Sequence, residues 1–323
     1  MPKWPLFPLA CFLIFMSLAV SGPRGVQETG FLDTPGVALG VAVSGNLALV
    51  ADEEEGLRLI DISDPSEPRE VGFFDTPGLA YDVVVSGNLA LVADYFYGLQ
   101  IIDISDPRSP TRIGSFRTRR IFAFDVALVG NLALVADGFA GLRVVDVSDP
   151  TRPQQVGFVP TQDLARGVAA AGTLALVADF DAGLRVIDLA APRGPQEVGF
   201  LDTPGIAFAV AVTGSLALVA DFHRGLRVID ISTPSRPVEV GFIDTPGFAV
   251  GVEVFGNLAL VADGFEGLRL IDISVPTRPR DAGFIDRPGF AFDAATSNSY
   301  ALVVTGFTGL SVTDIARAAI TFE

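Results

Sequence analysis

The stretch VGFFDTPGLAYDVVVSGNLALVADYFYGLQIIDISDP, residues 71–107, decides the fold, because it holds four short apolar runs separated by turn residues. The first run, Val71 to Phe74, stops at Asp75-Thr76-Pro77-Gly78, where Pro and Gly turn the chain. The second, Ala80 to Val85, stops at Ser86-Gly87-Asn88. The third, Leu89 to Ala93, stops at Asp94, and the fourth, Leu99 to Ile104, stops at Ser105-Asp106-Pro107. Proline cannot donate to a sheet ladder, so each Pro marks a strand limit. Short apolar runs bounded by turns read as strands buried on both faces. No part of the stretch keeps the 3.6-residue spacing of a helix.

The same pattern recurs along the chain. LALVAD or a close variant ends at Asp52, Asp94, Asp137, Asp179, Asp221 and Asp263, with Thr305 in the seventh place, at separations of 42, 43, 42, 42, 42 and 42. A second marker, I-D-I-S and its variants, keeps step at Asp61, Asp103, Asp146, Asp188, Asp230, Asp272 and Asp314. Four strands per repeat is the blade of a β-propeller. The rival geometry, a solenoid, needs polar caps at both ends, and neither end carries one. The termini are instead complementary. Residues 26–36, VQETGFLDTPG, are a lone outer strand and turn, whereas the last repeat ends in ARAAITFE and lacks an outer strand. The reading is an all-β, seven-bladed propeller of four-stranded blades, residues 22–323, with Gly30 to Thr34 closing the ring. The tail Ala319 to Phe322 competes for that place or adds beside it. Closure removes sheet edges that template association, and a monomer is expected.

The N-terminus is different. Lys3 precedes an apolar run from Leu6 to Met16, and Ser17-Leu18-Ala19 or Ala19-Val20-Ser21 offers small residues for cleavage. Residues 1–21 therefore read as a secretory signal peptide, with an uncleaved anchor or lipoprotein processing at Cys11 as alternatives. Export to the periplasm, the cell surface or the medium follows. Cys11 is the only cysteine, so the mature chain needs no disulfide. Half of the residues are apolar and the mean hydropathy is +0.48. No later apolar run approaches the roughly 20 residues of a membrane span. The formal charge of −16 and the absence of a basic stripe exclude a nucleic-acid binder.

The pattern LALVADxxxGLRLIDIS, followed by DPxxPxxVGF and TPGxA, resembles the LVIVD-repeat family of bacterial and archaeal cell-surface proteins. The resemblance covers seven consecutive copies. It implies a propeller fold and a surface location, and it implies no reaction. The third repeat departs from it with Arg117-Thr118-Arg119-Arg120 in place of DTPG, the fourth with Pro160-Thr161-Gln162-Asp163, and the seventh with Thr305 in place of Asp.

Residues present in every blade read as construction. The LALVAD Asp is expected to accept hydrogen bonds from the turn that follows it. Asp61 and its equivalents, if buried inside a strand, need a partner. Arg58, Arg143, Arg185, Arg227 and Arg269 are the candidates, reaching across from a neighbouring blade. The SDPxxP loops, with Pro65, Pro68, Pro107 and Pro110, read as stiff scaffold on the opposite face.

Function is sought where the blades differ. Three residues follow each LALVAD: Glu53-Glu54-Glu55, Tyr95-Phe96-Tyr97, then GFA, FDA, Phe222-His223-Arg224, GFE and GFT. The residue after the repeated Ala varies as Leu39, Tyr81, Phe124, Arg166, Phe208, Val250 and Phe292. One face thus carries an aromatic belt. The rings are either a partner surface, since aromatics anchor interfaces and exposed apolar patches mark contacts, or plugs folded over the adjacent blade. His223 stands alone, and no G-x-S-x-G, H-E-x-x-H, phosphate loop or C-x-x-C accompanies it.

Three readings follow. The first is a non-catalytic module binding a protein or glycan through Tyr81, Tyr95, Phe96, Tyr97, Phe124, Arg166, Phe208, His223, Arg224, Phe292 and Glu53 to Glu55, with no cofactor. The second is a metal-assisted hydrolase, with calcium held by Asp82, Asp125 and Asp293 and Asp163 nearby. The third is an architectural surface-layer component.

Overall fold

The computed structural model describes residues 28–117, 122–286 and 288–316. The signal-peptide reading, Cys11, Arg119, Arg120 and the tail from 317 lie outside these residues. Every described sheet has four antiparallel strands. In the first blade they run outward from the ring centre as Gly40–Ser44, Leu47–Ala51, Leu57–Asp61 and Arg69–Phe74. Five more blades repeat this order, with inner strands beginning at Asp82, Asp125, Gly167, Ala209 and Gly251. The seventh combines Asp293–Ser297, Tyr300–Val304 and Leu310–Asp314 with Glu28–Leu32 as its outermost strand. The ring is therefore closed by the N-terminal strand, which pairs Phe31 with Ser311 and Leu32 with Leu310.

Apolar runs buried on both faces explain why LALVA does not alternate with polar residues. Leu49 and Ala51 join a cluster with Ala80, Val83 and Ile102 of the next blade. Ala48 and Val50, pointing the other way, pack with Leu302, Leu310 and Val312 of the blade before. Leucine-rich faces thus meet alanine-rich ones around the ring. A β-bulge recurs where the outermost strand joins its neighbour, in the first blade between Leu59 and Ile60. A Cβ on Gly72, opposite Leu59, would lie 2.0 Å from the Pro107 carbonyl oxygen of the next blade. That glycine lets the SDPxxP loop of one blade clasp the outer strand of its predecessor.

The repeated charges are wired differently from the sequence expectation. Asp52 is fully buried and accepts from Thr34 Oγ1 at 2.7 Å and Gly36 N–H at 2.9 Å, both in the loop before its blade. It does not serve the turn that follows. The guanidinium that meets it is Arg58, from its own blade, with Nε at 3.6 Å. Arg185, Arg227 and Arg269 repeat this pairing at 3.4, 3.3 and 3.7 Å, and Arg143 pairs with Asp137. The arginines are therefore not the partners of Asp61 and its equivalents. Asp61 closes its strand, partly exposed, and accepts the Ser63 N–H at 2.9 Å. The expectation failed because it compared Arg58 with its own strand's alternation. The short turn between strands instead brings Arg58 back to the carboxylate six residues earlier.

Candidate functional site

The three-residue turns and the TPG-x-A loops meet on one face. The first turn residue forms an isolated bridge with the next blade's Ala, as in Glu53 with Ala80 and Tyr95 with Ala123, all round to Ala38 with Gly306. This bolt requires left-handed backbone. Glycine supplies it at Gly138, Gly264 and Gly306, with φ of 53°, 63° and 64°. Glu53, Tyr95, Phe180 and Phe222 adopt it at 46°, 41°, 50° and 51°, at a cost of order 1–3 kcal/mol each. Such strain persists only where the surroundings over-determine it.

The aromatic residues consequently divide by position. First-position rings are packed. Tyr95 lies 5.1 Å from Tyr81, 5.3 Å from Phe124 and 4.1 Å from Phe96. Phe222 stacks on Phe208 at 5.2 Å and on Phe248 at 4.7 Å. Where glycine stands first, a ring from the neighbouring loop fills its space: a Cβ on Gly306 would lie 3.0 Å from Phe292 Cε2. Second-position rings point outward, with Phe96, Phe139, Phe265 and Phe307 exposed at 49, 74, 53 and 74%. The first-position rings thus act as plugs between blades, and the second-position rings are left exposed on the face. His223 and Arg224 are exposed as well, the imidazole edge-on to Phe222 at 5.8 Å. Tyr97 carries the Arg117 guanidinium 4.3 Å above its ring.

Arg166 lies half-buried at the ring centre, just before the innermost strand of its blade. Its guanidinium lies over Phe124, Tyr81 and Phe208 at 5.0, 5.6 and 5.8 Å. Burial lowers its pKa, while Tyr81 and the carboxylates of Asp125, Asp82 and Asp293 pull it back up. Those three acids begin innermost strands and bridge blade to blade. Asp82 accepts from Val126 N–H at 3.1 Å, Asp125 from Val168 N–H at 2.7 Å, and Asp293 from Val41 N–H at 3.1 Å. Burial, then the charge of Asp125 and a hydrogen bond with it, hold the Asp82 carboxyl well above the usual range. Burial pushes Asp293 up to about 7. The acids read as calcium ligands thus each give an oxygen to a neighbouring strand, and among the described residues no three acidic, His or Cys side chains converge as a metal site. Asp163 stands apart from them, accepting the Asp181 N–H at 3.3 Å.

Glu53 lies near enough to Tyr81 for its charge to add to the rise that burial causes in the Tyr81 phenol's pKa. Burial, then Glu54 and Asp52, raise the Glu53 carboxyl. Glu54 is exposed, and Glu55 is held by Arg58 at 2.9 Å. Sequence reading missed four members of the site. Phe122, Phe248 and Phe290 precede the repeated Ala and complete the belt, Phe290 lying 4.7 Å from Phe292. Glu253, whose carboxyl burial raises, acts on Asp293 from the next inner strand. Aromatic residues at 122, 248 and 290 stand where the other blades have aliphatic ones at 37, 79, 164 and 206, and that variation between blades was the available signal.

Comparison with known proteins bears on the fold and family. The LVIVD repeat model matches residues 35–76, 77–118, 122–161, 164–203, 204–245 and 246–285. No curated protein matches the chain. Among solved structures, one chain of the mitotic checkpoint complex is similar at a TM-score of 0.74 and 14% identity, covering 93% of this chain and 99% of that one. The computationally designed Ika8 protein is similar at 0.67 and 10%, covering 90% and 100%. Both likenesses concern the fold alone. With six family matches tiling most of its length on a seven-bladed ring, the chain belongs to the LVIVD-repeat family.

Proposed function

We propose that this chain is an exported, non-catalytic interaction scaffold at the cell surface, and that its aromatic face binds a protein or a glycan. One observation carries the reading. Phe96, Phe139, Phe265 and Phe307 stand exposed on four blades of one face, although the bolts between blades are complete without them. Exposed rings cost solubility, and aromatics on a rigid surface are the residues that anchor interfaces. The leader-like residues 1–21 support export.

The test uses Phe139→Ser and Phe307→Ser in the mature chain. Removing such exposed rings changes stability by no more than about 0.5 kcal/mol. Binding to partners captured from envelope fractions, or to an arrayed glycan set, is expected to fall at least about tenfold, equivalent to roughly 1.4 kcal/mol. Unchanged binding with an unchanged melting temperature would refute the role of this face.

A further inference from the structure

Arg166 is the exception among the arginines that water does not surround. Arg58, Arg143, Arg185, Arg227 and Arg269 each meet a buried Asp of their own blade. Among the described residues, the half-buried guanidinium of Arg166 has no hydrogen bond and no ion pair. Its neighbours are the rings of Phe124, Tyr81 and Phe208, drawn from the third, second and fifth blades. A ring face offers π density and no lone pair, so the guanidinium N–H donors stay unspent. The Tyr81 O–H likewise has no partner among the described residues. Of the titratable groups that act on Arg166, Tyr81 acts most strongly, ahead of Asp125, Asp82 and Asp293. Those three acids begin innermost strands, one residue farther in than the side chains at 81, 124 and 292. Their carboxyls are taken up by the N–H groups of Val126, Val168 and Val41. The mouth of the ring thus combines unspent donors with apolar walls.

We propose that the mouth of the ring binds a monocarboxylate, with Arg166 donating to both oxygens, the Tyr81 O–H donating to one of them, and Phe124 and Phe208 flanking the ligand's apolar body. The planar fork of a guanidinium matches a carboxylate in a bidentate pair. Apolar walls with a few placed polar groups are the usual make-up of small-molecule sites. Charge limits the choice of anion. A net charge of −16 and the acids farther in oppose every added negative charge, which favours one carboxylate over a phosphate dianion. The hydrogen bond between Asp82 and Asp125 keeps a proton between them, so that pair does not carry two full charges. The proposal goes beyond the interaction-face reading, because it uses none of the four outward Phe rings. A free organic acid and the C-terminus of a peptide present the same carboxylate chemistry.

The experiment titrates a chain begun at residue 22, by calorimetry, with phenylacetate and with N-acetyl-glycyl-phenylalanine bearing a free carboxylate. The amides of both and inorganic phosphate serve as comparisons. The variants are Arg166→Leu, Arg166→Lys and Tyr81→Phe, each checked by its melting temperature. Leucine already stands at the equivalent place in the first blade, as Leu39, so the loop accepts it. At least one carboxylate is expected to bind at millimolar concentration, and the tighter of the two names the source. Arg166→Leu should weaken that binding at least about tenfold, the worth of a lost hydrogen-bonded charge pair. Arg166→Lys should weaken it several-fold, because a point charge replaces the fork, and Tyr81→Phe by less. Arg69→Gln, which removes an exposed guanidinium from an outermost strand, should bind as the parent does. The amides and phosphate are expected not to bind. If Arg166→Leu melts early, the comparison with Arg166→Lys decides. No carboxylate binding by the parent, equal affinity in the parent and a folded Arg166 variant, or an amide or phosphate bound as tightly as the acid, overturns the proposal.

Discussion

A chain beginning at Thr34 is expected to lose the closed ring. Removing Glu28–Leu32 leaves Leu310–Asp314 as an open edge and exposes Leu310 and Val312, both buried in the intact protein. Leu32 also packs on the cluster joining the seventh and first blades. Exposing two or three aliphatic side chains costs about 1.5–3 kcal/mol each, so a loss of several kcal/mol is predicted. The melting temperature should fall on the order of 10 °C, and sedimentation should show concentration-dependent association through the open strand. Adding the peptide of residues 26–36 should restore the monomer and part of the lost stability. An unaltered melting curve would show that the N-terminal strand does not close the ring.

The second large effect concerns Asp94. In five other blades the equivalent Asp faces an arginine that stacks on an outer-strand Phe, as Arg58 does on Phe73 at 4.9 Å. In the second blade all three positions of that set change. Gln100 replaces the arginine, Ser115 the phenylalanine, and Arg112 stands where Glu70 and its counterparts face the arginine. Asp94 is fully buried without a guanidinium. Burial pushes its carboxyl up to about 6, against weaker opposing pulls from Thr76, Gly78, Gln100 and Arg112. Its folded pKa thus lies above the unfolded value near 3.8. The folded chain holds this proton more tightly, so the stabilisation is complete below about pH 4 and disappears as pH rises through about 6. The difference corresponds to about 3 kcal/mol over that window, as an order of magnitude.

Gln100→Arg combined with Arg112→Glu and Ser115→Phe rebuilds the set found elsewhere. Urea unfolding from pH 4 to 7 should show the triple variant gaining on the parent as pH rises, by only part of that figure at pH 7, because burial keeps Asp52, Asp137, Asp221 and Asp263 raised even beside their arginines. Gln100→Arg alone should gain less, because the new guanidinium would lie beside Arg112. Parallel pH profiles for the parent and the triple variant would mean that Asp94 does not titrate there. Other buried carboxylates with raised pKa values, Asp82 and Asp293 among them, contribute equally to both profiles and cancel in the difference.

The architecture was legible because each blade repeats one local grammar. Pro and Gly fixed the strand limits, the steady period fixed the blade count, and the unmatched VQETGFLDTPG segment named the closing strand. The wiring was less legible. The Asp52–Arg58 contact depends on how sharply Gly56, at φ 76°, folds the turn between them. Strand alternation says nothing about that. The split of the aromatic belt was hidden for the same reason. Whether Tyr95 packs inward while Phe96 points outward follows from the left-handed backbone at the bolt residue. The G-F-x turns carried a hint, since glycine first and phenylalanine second is the arrangement that leaves a ring outside. Arg166 stood out as the one charge among apolar equivalents, but its cage of Phe124, Tyr81 and Phe208 draws on three different blades. Phe122, Phe248 and Phe290 hid among aliphatic equivalents, so no single repeat singled them out.

A covalent link across the seam interrogates the toroid most directly. Phe31 and Ser311 face one another in register although 280 residues separate them in the chain. With Phe31→Cys and Ser311→Cys, a chain begun at residue 22 contains no other thiol. Mild oxidation should yield a monomer with no free thiol and a melting temperature raised by several degrees, since a link closing so long a loop restricts the unfolded chain strongly. Persisting thiols, or disulfide-linked dimers in place of the internal bond, would contradict a ring sealed by its own N-terminal strand.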